Sequence, residues 1–263
     1  MDRAEARRAP LVAVVIPARD EEEALPLVLA ELPRERVDHV VVVDNGSRDR
    51  TAELARSLGV LVVGEPVRGY GQACLAGLAC LWGTHPDPAS RLVPPLGDDD
   101  VVVFLDADHS DFPEELPRIL DPLLAGGADL VIGSRILGGA RMDAMLPQAW
   151  LGNRFACFLM RLLFGAHATD LGPFRAIRSG ALRRLGMRDR GFGWTIEMQL
   201  KAHAQRQRVV EVPVRYRPRI GRSKITGTLF GTLGAGTKIL GWIALWRLRT
   251  AFASATRRSP SSR

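Results

Sequence analysis

The sequence is poor in cysteine and lysine, and it has no long apolar run. Its 263 residues include only three cysteines, Cys74, Cys80 and Cys157, and only three of its 36 basic residues are lysine. The odd number and loose spacing of the cysteines argue against a disulfide framework or a cysteine metal site, and they indicate core residues in a reducing cytosol. No stretch of about 18 uncharged apolar residues is present, so no membrane-spanning helix is predicted.

Acidic residues almost disappear from the last quarter of the chain. Residues 201–263 carry fourteen Lys and Arg against the single acid Glu211, whereas residues 1–200 carry 22 bases and 28 acids. This asymmetry indicates that the basic end contacts an anionic surface or a phosphate. Nucleic acid is not the expected partner, because the basic residues are not interleaved with stacking aromatics.

The basic end contains one short apolar segment, "ILGWIALW" at 239–246, which is flanked by Lys238, Arg247 and Arg249. This pattern is typical of a helix that lies on an anionic membrane surface, with Trp242 and Trp246 at the interface. The alternative is that the segment packs on the protein itself.

Strand and helix patterns alternate over the first two-thirds of the chain. Continuous Val-rich runs predict strands buried on both faces, and the helical segments between them predict a parallel sheet. The predicted strands cover residues 11–16, 39–45, 60–65, 100–108 and 128–135. After about residue 140 the pattern is mainly helical, with one late strand at 208–216.

Polar residues and glycines follow these strands where they end. Ligands of open parallel sheets bind at the carboxyl ends of the strands, so these residues are expected to converge on one site. They are Pro17, Ala18, Arg19, Asp20 and Glu21 after the first strand, Asp44, Asn45, Gly46 and Ser47 after the second, Arg68, Gly69 and Gly71 after the third, Asp106 and Asp108 after the fourth, and Ser134 and Arg135 after the fifth.

The pair Asp106 and Asp108 follows the apolar run "VVVFL". Two carboxylates at a strand end suit a hard cation such as Mg²⁺ or Mn²⁺, which completes its shell with substrate phosphates and water. The simpler interpretation is a solvated turn that caps the helix after Pro113, a role that Asp111 could fill alone. Asp44 is predicted to accept hydrogen bonds from a nucleobase or ribose, with a turn-capping role as the alternative.

Eight motifs in this order resemble one known family: "VVIPARDEE", "VVVDNGS", "RGYGQA", "FLDAD", "IGSR", "TDLGPFRAI", "GWTIEMQLKA" and "YRPRIGRSKI". They resemble the family 2 glycosyltransferases of GT-A fold, in the branch of dolichyl-phosphate mannose synthase and polyprenyl-phosphate sugar transferases. The resemblance implies a Rossmann-like, mostly parallel α/β sheet flanked by helices at residues 11–225. A basic helical extension at 226–250 and disordered tails at 1–10 and 251–263 complete the expected organisation.

The resemblance also implies an inverting transfer of a sugar from a GDP- or UDP-linked donor, and a role for each matching residue. Pro17, Ala18, Arg19, Glu21, Asp44, Arg68, Gly69 and Ala107 would bind the nucleotide. Asp106 and Asp108 would hold the metal and diphosphate, with Ser110 where relatives often carry Gln. Arg135 would lie near the reacting phosphates, and Arg217, Arg219 and Lys224 would bind acceptor or donor phosphate.

The acceptor decides whether a general base is needed. A polyprenyl phosphate is already ionised near neutral pH and needs none, whereas a hydroxyl acceptor would need one, with Asp170 and Glu197 as candidates. Glu197 could instead be a buried partner of an arginine. The expected protein is cytoplasmic and peripheral on the inner face of the plasma membrane, and a homo-oligomer is compatible with the sequence.

Two other functions compete with the transferase. In a haloacid-dehalogenase-like phosphatase Asp106 would attack a phosphate, but that motif belongs on a first strand and here it follows the fourth. A non-catalytic nucleotide-binding protein would keep the same motifs without turnover.

Overall fold

The structure is a computed structural model that describes residues 8–140 and 147–221, together with the single residue Gly241. The predicted basic helix at 226–250, with Lys238, Trp242, Trp246, Arg247 and Arg249, therefore lies outside the described residues. Lys224 and the segment 141–146 also lie outside them.

Seven strands form one sheet in the order β3-β2-β1-β4-β6-β5-β7. The strands are β1 Val12–Ala18, β2 His39–Asp44, β3 Leu61–Gly64, β4 Val101–Phe104, β5 Leu130–Ser134, β6 Arg175–Arg178 and β7 Val209–Pro213. Strands β1 to β4 pair in parallel, β6 runs antiparallel between β4 and β5, and β7 pairs in parallel with β5. The five predicted strands and the late strand are confirmed, whereas the antiparallel β6 was not predicted.

Helices cover both faces of this sheet. They are α1 Leu25–Glu31, α2 Thr51–Ser57, α3 Tyr70–Leu81, α4 Leu116–Leu124, α5 Pro147–Phe164, α6 Ser179–Leu185 and α7 Trp194–Ala204. The core on one face joins α1, α2 and α4 to the sheet, and the core on the other face joins α3, α6 and α7. The three cysteines are buried as the sequence predicts.

The valine runs explain why the middle strands are inaccessible on both sides. Val41, Val42 and Val43 of β2 and all four residues of β4 are buried, since alternate side chains point to opposite faces and a helix layer covers each face. Helix α3 comes very close to β1 at Gly77, where a Cβ atom would lie 2.6 Å from Val15 Cγ1.

The strand order places the site. From β1 the chain moves outward to β2 and β3, and it then returns across β1 to β4. The carboxyl ends of β1 and β4 therefore flank a topological switch point, where open α/β sheets form a ligand crevice. Within residues 8–140 and 147–221, no helix is both long enough and apolar enough to cross a membrane.

Candidate active site

Asp106 and Asp108 form the floor of the crevice beyond β4. Asp108 Oδ1 accepts hydrogen bonds from the Ser110 amide (3.0 Å) and hydroxyl (2.6 Å), and Asp106 Oδ1 accepts one from the Tyr70 hydroxyl (3.0 Å). The turn from Asp108 to Ser110 passes through His109 in the left-handed region, at φ 61°. Burial and the adjacent charge of Asp108 raise the pKa of Asp106 to about 7. Two carboxylates are thus held together against their mutual repulsion, which a bound cation would relieve.

Arg219 reaches this floor from the segment that follows β7. Its guanidinium lies 3.1 Å from Asp108 Oδ2 and 3.0 Å from Glu21 Oε1. Backbone bonds fix the segment on the aspartate turn, from the Arg217 amide to the Ser110 carbonyl (2.9 Å) and from the Ile220 amide to the Asp108 carbonyl (3.0 Å). A basic segment almost 200 residues from Glu21 in the sequence is therefore part of the same site.

Asn45 organises the wall that follows β2. Its amide nitrogen donates to the carbonyls of Glu65 (2.9 Å) and Val67 (2.8 Å), and its Oδ1 accepts from the Gly69 amide (2.8 Å). The side chain thereby fixes the loop that carries Arg68 and Gly69 into the crevice. The sequence places Asn45 at the ligand edge, inside the motif "VVVDNGS", but it assigns no ligand contact to this residue.

A loop at 188–193 forms the opposite wall and is packed tightly on the start of α3. The Gly71 amide donates to the Gly191 carbonyl (3.1 Å), and the Gln72 amide donates to the Arg190 carbonyl (3.0 Å). A Cβ atom at Gly69 would lie 2.0 Å from the Arg190 carbonyl oxygen, so a side chain there has no space. The glycines of "RGYGQA" therefore allow this loop to close on α3.

Glu197 holds the same loop from behind. Its fully buried carboxylate accepts from the amides of Arg188 (3.0 Å) and Asp189 (2.7 Å) and forms a 2.7 Å ion pair with Lys201. Asp189 stabilises the same loop, because its Oδ1 accepts a hydrogen bond from the Gly191 amide at 2.7 Å. The sequence offered the alternative that Glu197 is the buried partner of an arginine. In the structure its ionic partner is Lys201.

Asp170 is also fully buried and binds Arg135. The guanidinium contacts both carboxylate oxygens, with Nε to Oδ2 at 2.8 Å and Nη2 to Oδ1 at 2.7 Å, and the Arg135 amide adds a bond of 2.8 Å. Burial opposes the arginine's charge, but Asp170 outweighs it and holds the pKa of Arg135 above its usual range. The charge of Arg135 also acts on Asp106, where it partly offsets the rise in pKa that burial and Asp108 cause.

These elements enclose a cavity of about 550 Å³. Ten of the predicted site residues line it: Pro17, Ala18, Arg19, Glu21, Arg68, Gly69, Asp106, Ala107, Asp108 and Arg219. Six residues to which the sequence assigned no ligand contact also line it: Asn45, Tyr70, Ala73, Arg190, Gly191 and Phe192. Four guanidinium groups, three carboxylates and two aromatic rings thus face one space.

Six predicted site residues are not part of the lining: Asp44, Ser110, Arg135, Asp170, Glu197 and Arg217. Asp44 accepts from the Ser47 amide at 3.0 Å, as in the capping alternative. The buried Ser110 hydroxyl is directed to Asp108, and Arg217 pairs with Glu31 at 2.6 Å and donates to the His109 carbonyl. In the structure these six residues contact other side chains and the backbone, and their roles toward a ligand stay predictions.

The donor set of the floor fits a divalent cation that also binds phosphate. Within the described residues no group of three His, Cys, Asp or Glu side chains could hold an ion alone. Two carboxylates open to a cavity are what Mg²⁺ or Mn²⁺ commonly uses when substrate oxygens and water supply its other ligands.

Similar sequences come from several bacteria. An uncharacterized glycosyltransferase of Mycobacterium tuberculosis is 38% identical over 226 residues, which cover 84% of this chain and 93% of that protein. The undecaprenyl-phosphate mannosyltransferase of Micrococcus luteus is 32% identical over 89% of this chain and 96% of its own length. The polyprenol monophosphomannose synthase of Mycolicibacterium smegmatis is 32% identical over 86% of this chain and 85% of its own.

The fold matches solved structures as well. Glucosyl-3-phosphoglycerate synthase from Mycobacterium tuberculosis, in a complex with Mn²⁺, UDP-glucose and phosphoglyceric acid, superposes with a TM-score of 0.69. It is 23% identical, and the match covers 90% of this chain and 80% of that one. This likeness confirms the predicted Rossmann-like, mostly parallel α/β architecture.

The family profile described as glycosyl transferase family 2 matches residues 13–186, which include all of β1 but its first residue, β2 to β6 and the paired aspartates. The predicted resemblance is thereby confirmed, and it replaces the phosphatase alternative. The chain belongs to glycosyl transferase family 2, and it is a glycosyltransferase.

Proposed function

We propose that this enzyme transfers a sugar, with inversion, from a GDP- or UDP-linked donor to a polyprenyl-phosphate lipid. The observation that carries the proposal is the cavity itself, where Asp106 and Asp108 face Arg19, Arg68, Arg190 and Arg219. Paired carboxylates suit a cation that holds the donor diphosphate. Guanidinium forks suit two phosphate-bearing substrates, because each can donate paired hydrogen bonds. The relatives named for undecaprenyl phosphate and polyprenol support this acceptor class.

The positions of the remaining acids favour a phosphate acceptor over a hydroxyl. A hydroxyl acceptor needs a base within hydrogen-bond reach, yet Asp170 and Glu197 are fully buried and engaged with Arg135 and Lys201. A phosphate monoester is largely ionised at neutral pH and attacks without giving up a proton. A phosphate acceptor therefore suits this cavity, which would orient the substrates and stabilise the charge that develops during transfer without a general base.

The chemical step is one displacement. A phosphate oxygen of the acceptor forms a bond to the anomeric carbon while the bond from that carbon to the donor diphosphate breaks. The electron pair leaves with the nucleoside diphosphate, and the configuration at the carbon inverts. A divalent ion held by Asp106 and Asp108, either Mg²⁺ or Mn²⁺, would supply charge neutralisation for the leaving diphosphate. Arg219, which contacts Asp108 and Glu21, would bind a phosphate on the same side.

The basic end supports work at a membrane. Residues 201–263 carry fourteen bases and one acid, and exposed basic residues near an anionic surface contribute about 1 kcal/mol each. We infer a peripheral position on the cytoplasmic face of the membrane, where a lipid phosphate would be available.

The test pairs labelled GDP-mannose, UDP-glucose and related donors with a short-chain polyprenyl phosphate, in Mn²⁺ or EDTA. The expected result is a solvent-extractable sugar lipid of inverted configuration and an equal amount of nucleoside diphosphate, formed in Mn²⁺ and abolished by Asp106→Ala. Transfer to a hydroxyl acceptor such as 3-phosphoglycerate, with none to the lipid phosphate, would refute the acceptor class. Release of inorganic phosphate alone would refute transfer.

A further inference from the structure

Helix α5 has two apolar faces on opposite sides. The inner face buries Ala156, Cys157 and Met160 in a core cluster that it shares with α7. The outer face exposes four large apolar side chains, Leu151 (65%), Phe155 (50%), Phe158 (58%) and Leu162 (65%). An outward-facing helix in a folded domain normally shows polar residues on its second face. The outer apolar face therefore needs a contact outside the described residues.

The spacing makes the outer face a continuous stripe. Successive residues are rotated by about 100° around the axis of an α-helix. Residues 151, 155, 158 and 162 are separated by four, three and four positions, so they fall within about 60° of one another around the axis. The stripe points away from the inner face, which is centred near Met160. The same four residues make up over a third of the exposed large hydrophobics in the described residues, and such clustering on one surface marks an interaction site.

The charged residues of α5 itself are all positive. Arg154 and Arg161 lie along one edge of it, both exposed, and α5 contains no acid between residues 147 and 164. The Arg154 guanidinium lies 4.9 Å from the ring of Trp150, at the start of the helix. A helix with Phe and Leu on one face and Arg and Trp beside them has the composition of helices that lie in the plane of a lipid interface.

We propose that the outer face of α5, defined by Leu151, Phe155, Phe158 and Leu162, binds the surface of an anionic lipid bilayer. The inference deepens the proposed function and rests on it, because the membrane would carry the acceptor. A second copy of the chain is a poorer occupant, since a two-fold contact places the same patch on both subunits. That contact would bring the arginines of both copies together without an acid on the helix to balance them.

The experiment measures sedimentation of the full chain with vesicles of phosphatidylcholine containing 0 or 40% phosphatidylglycerol, a composition chosen for its negative charge. The test variant is Phe155→Gln/Phe158→Gln. The matched control is Leu27→Gln/Leu58→Gln, which removes exposed apolar side chains (43% and 47%) at α1 and α2. We expect binding to the charged vesicles to weaken at least tenfold in the test variant and to stay within twofold in the control.

A second variant, Arg154→Gln/Arg161→Gln, tests the charge component. Its binding should be weaker at low salt and should depend less on salt than that of the wild type, because exposed charges are screened over about 10 Å at 0.1 M salt. Equal vesicle binding by wild type and the Phe155→Gln/Phe158→Gln variant would overturn the proposal. A halved mass of that variant in ultracentrifugation would also overturn it, in favour of a second copy. A large loss of thermal stability would likewise overturn it, in favour of cover by another segment of the chain.

Two acceptors separate this inference from the proposed function. With a water-soluble short-chain polyprenyl phosphate, the Phe155→Gln/Phe158→Gln variant should keep wild-type turnover, whereas with a long-chain acceptor in vesicles it should lose at least tenfold. If the wild type uses neither acceptor, the proposed function fails, while vesicle sedimentation still decides whether α5 binds lipid.

Discussion

Arg219 and Asp108 form an ion pair in which Nη1 lies 3.1 Å from Oδ2, at the point where the floor carboxylates open into the cavity. The other oxygen of Asp108 is already bound by the amide and hydroxyl of Ser110. Arg219 therefore takes the carboxylate oxygen that a cation would use. Because Arg219 comes from the segment after β7, we expect cation binding to change the position of that segment.

Removing this guanidinium should tighten cation binding. Arg219→Ala frees Asp108 Oδ2 and removes a positive charge beside the cation. An ion pair of this exposure contributes about 1 kcal/mol, so we expect the affinity for Mn²⁺ without nucleotide to rise about fivefold. Electron paramagnetic resonance of free Mn²⁺ measures this directly. The control is Arg208→Ala, which breaks an exposed pair with Asp129 at the opposite edge of the sheet. Unchanged or weaker Mn²⁺ binding in Arg219→Ala would show that the arginine does not compete.

Nucleotide binding should depend on Asp108 only through the cation. Asp108→Asn keeps the shape of the turn but removes a charged ligand, so we expect nucleoside diphosphate affinity in Mn²⁺ to fall at least tenfold, or about 1.4 kcal/mol. In EDTA the nucleotide affinities of Asp108→Asn and the wild type should agree within about twofold. Without a cation, the negative charge of Asp108 would only repel the phosphates of the nucleotide. Calorimetric titrations in both buffers provide the comparison, with Asp129→Asn as the control. An equal loss in both buffers would mean that Asp108 contacts the nucleotide directly.

The pair of Asp170 and Arg135 should be structural. Breaking a buried ion pair on one side costs about 3–5 kcal/mol, because it leaves a buried charge without a partner. Asp170→Asn should therefore lower the melting temperature by on the order of 10 °C. Scanning calorimetry measures the loss, and the remaining folded enzyme should keep most of its kcat. A variant with wild-type stability and a kcat reduced by a hundredfold or more would instead identify Asp170 as the base.

The floor of the site could be predicted because two simple rules act there. Valine runs identify strands buried on both faces, and ligands collect at the carboxyl ends of parallel strands. The same rules could not separate Asp44 from Asn45, since neighbouring residues at a strand end point in different directions. Asn45 binds the loop at 65–69, and the position of that loop is set by the residue at which β3 ends.

Two other features were beyond sequence patterns. Strand β6 is only four residues long and begins with Arg175, whose burial lowers its pKa to about 10 and whose guanidinium donates to backbone carbonyls of 171, 172 and 195. A buried arginine interrupts the apolar run by which a central strand is recognised. The wall at 188–193 depends on packing between distant parts of the chain at Gly69 and Gly71, which local spacing does not encode.

Glu197 should act on the donor through the loop it holds. Glu197→Gln replaces a carboxylate that accepts from two backbone amides by a group with one acceptor oxygen, and it leaves Lys201 without its ionic partner. The loop that carries Arg190 and Phe192 should become less ordered. We therefore expect the donor KM to rise about tenfold, while kcat at saturating donor stays within about threefold. This is the pattern expected when a variant loses binding energy equally in the ground state and the transition state. Lys201→Met is the matched control, because it removes the ion pair but keeps the carboxylate bonds to the loop. Steady-state kinetics at several pH values separate this role from catalysis. If Glu197→Gln lowers kcat by a hundredfold or more, removes one limb of the pH profile and leaves the donor KM unchanged, Glu197 is a general base and the acceptor is a hydroxyl.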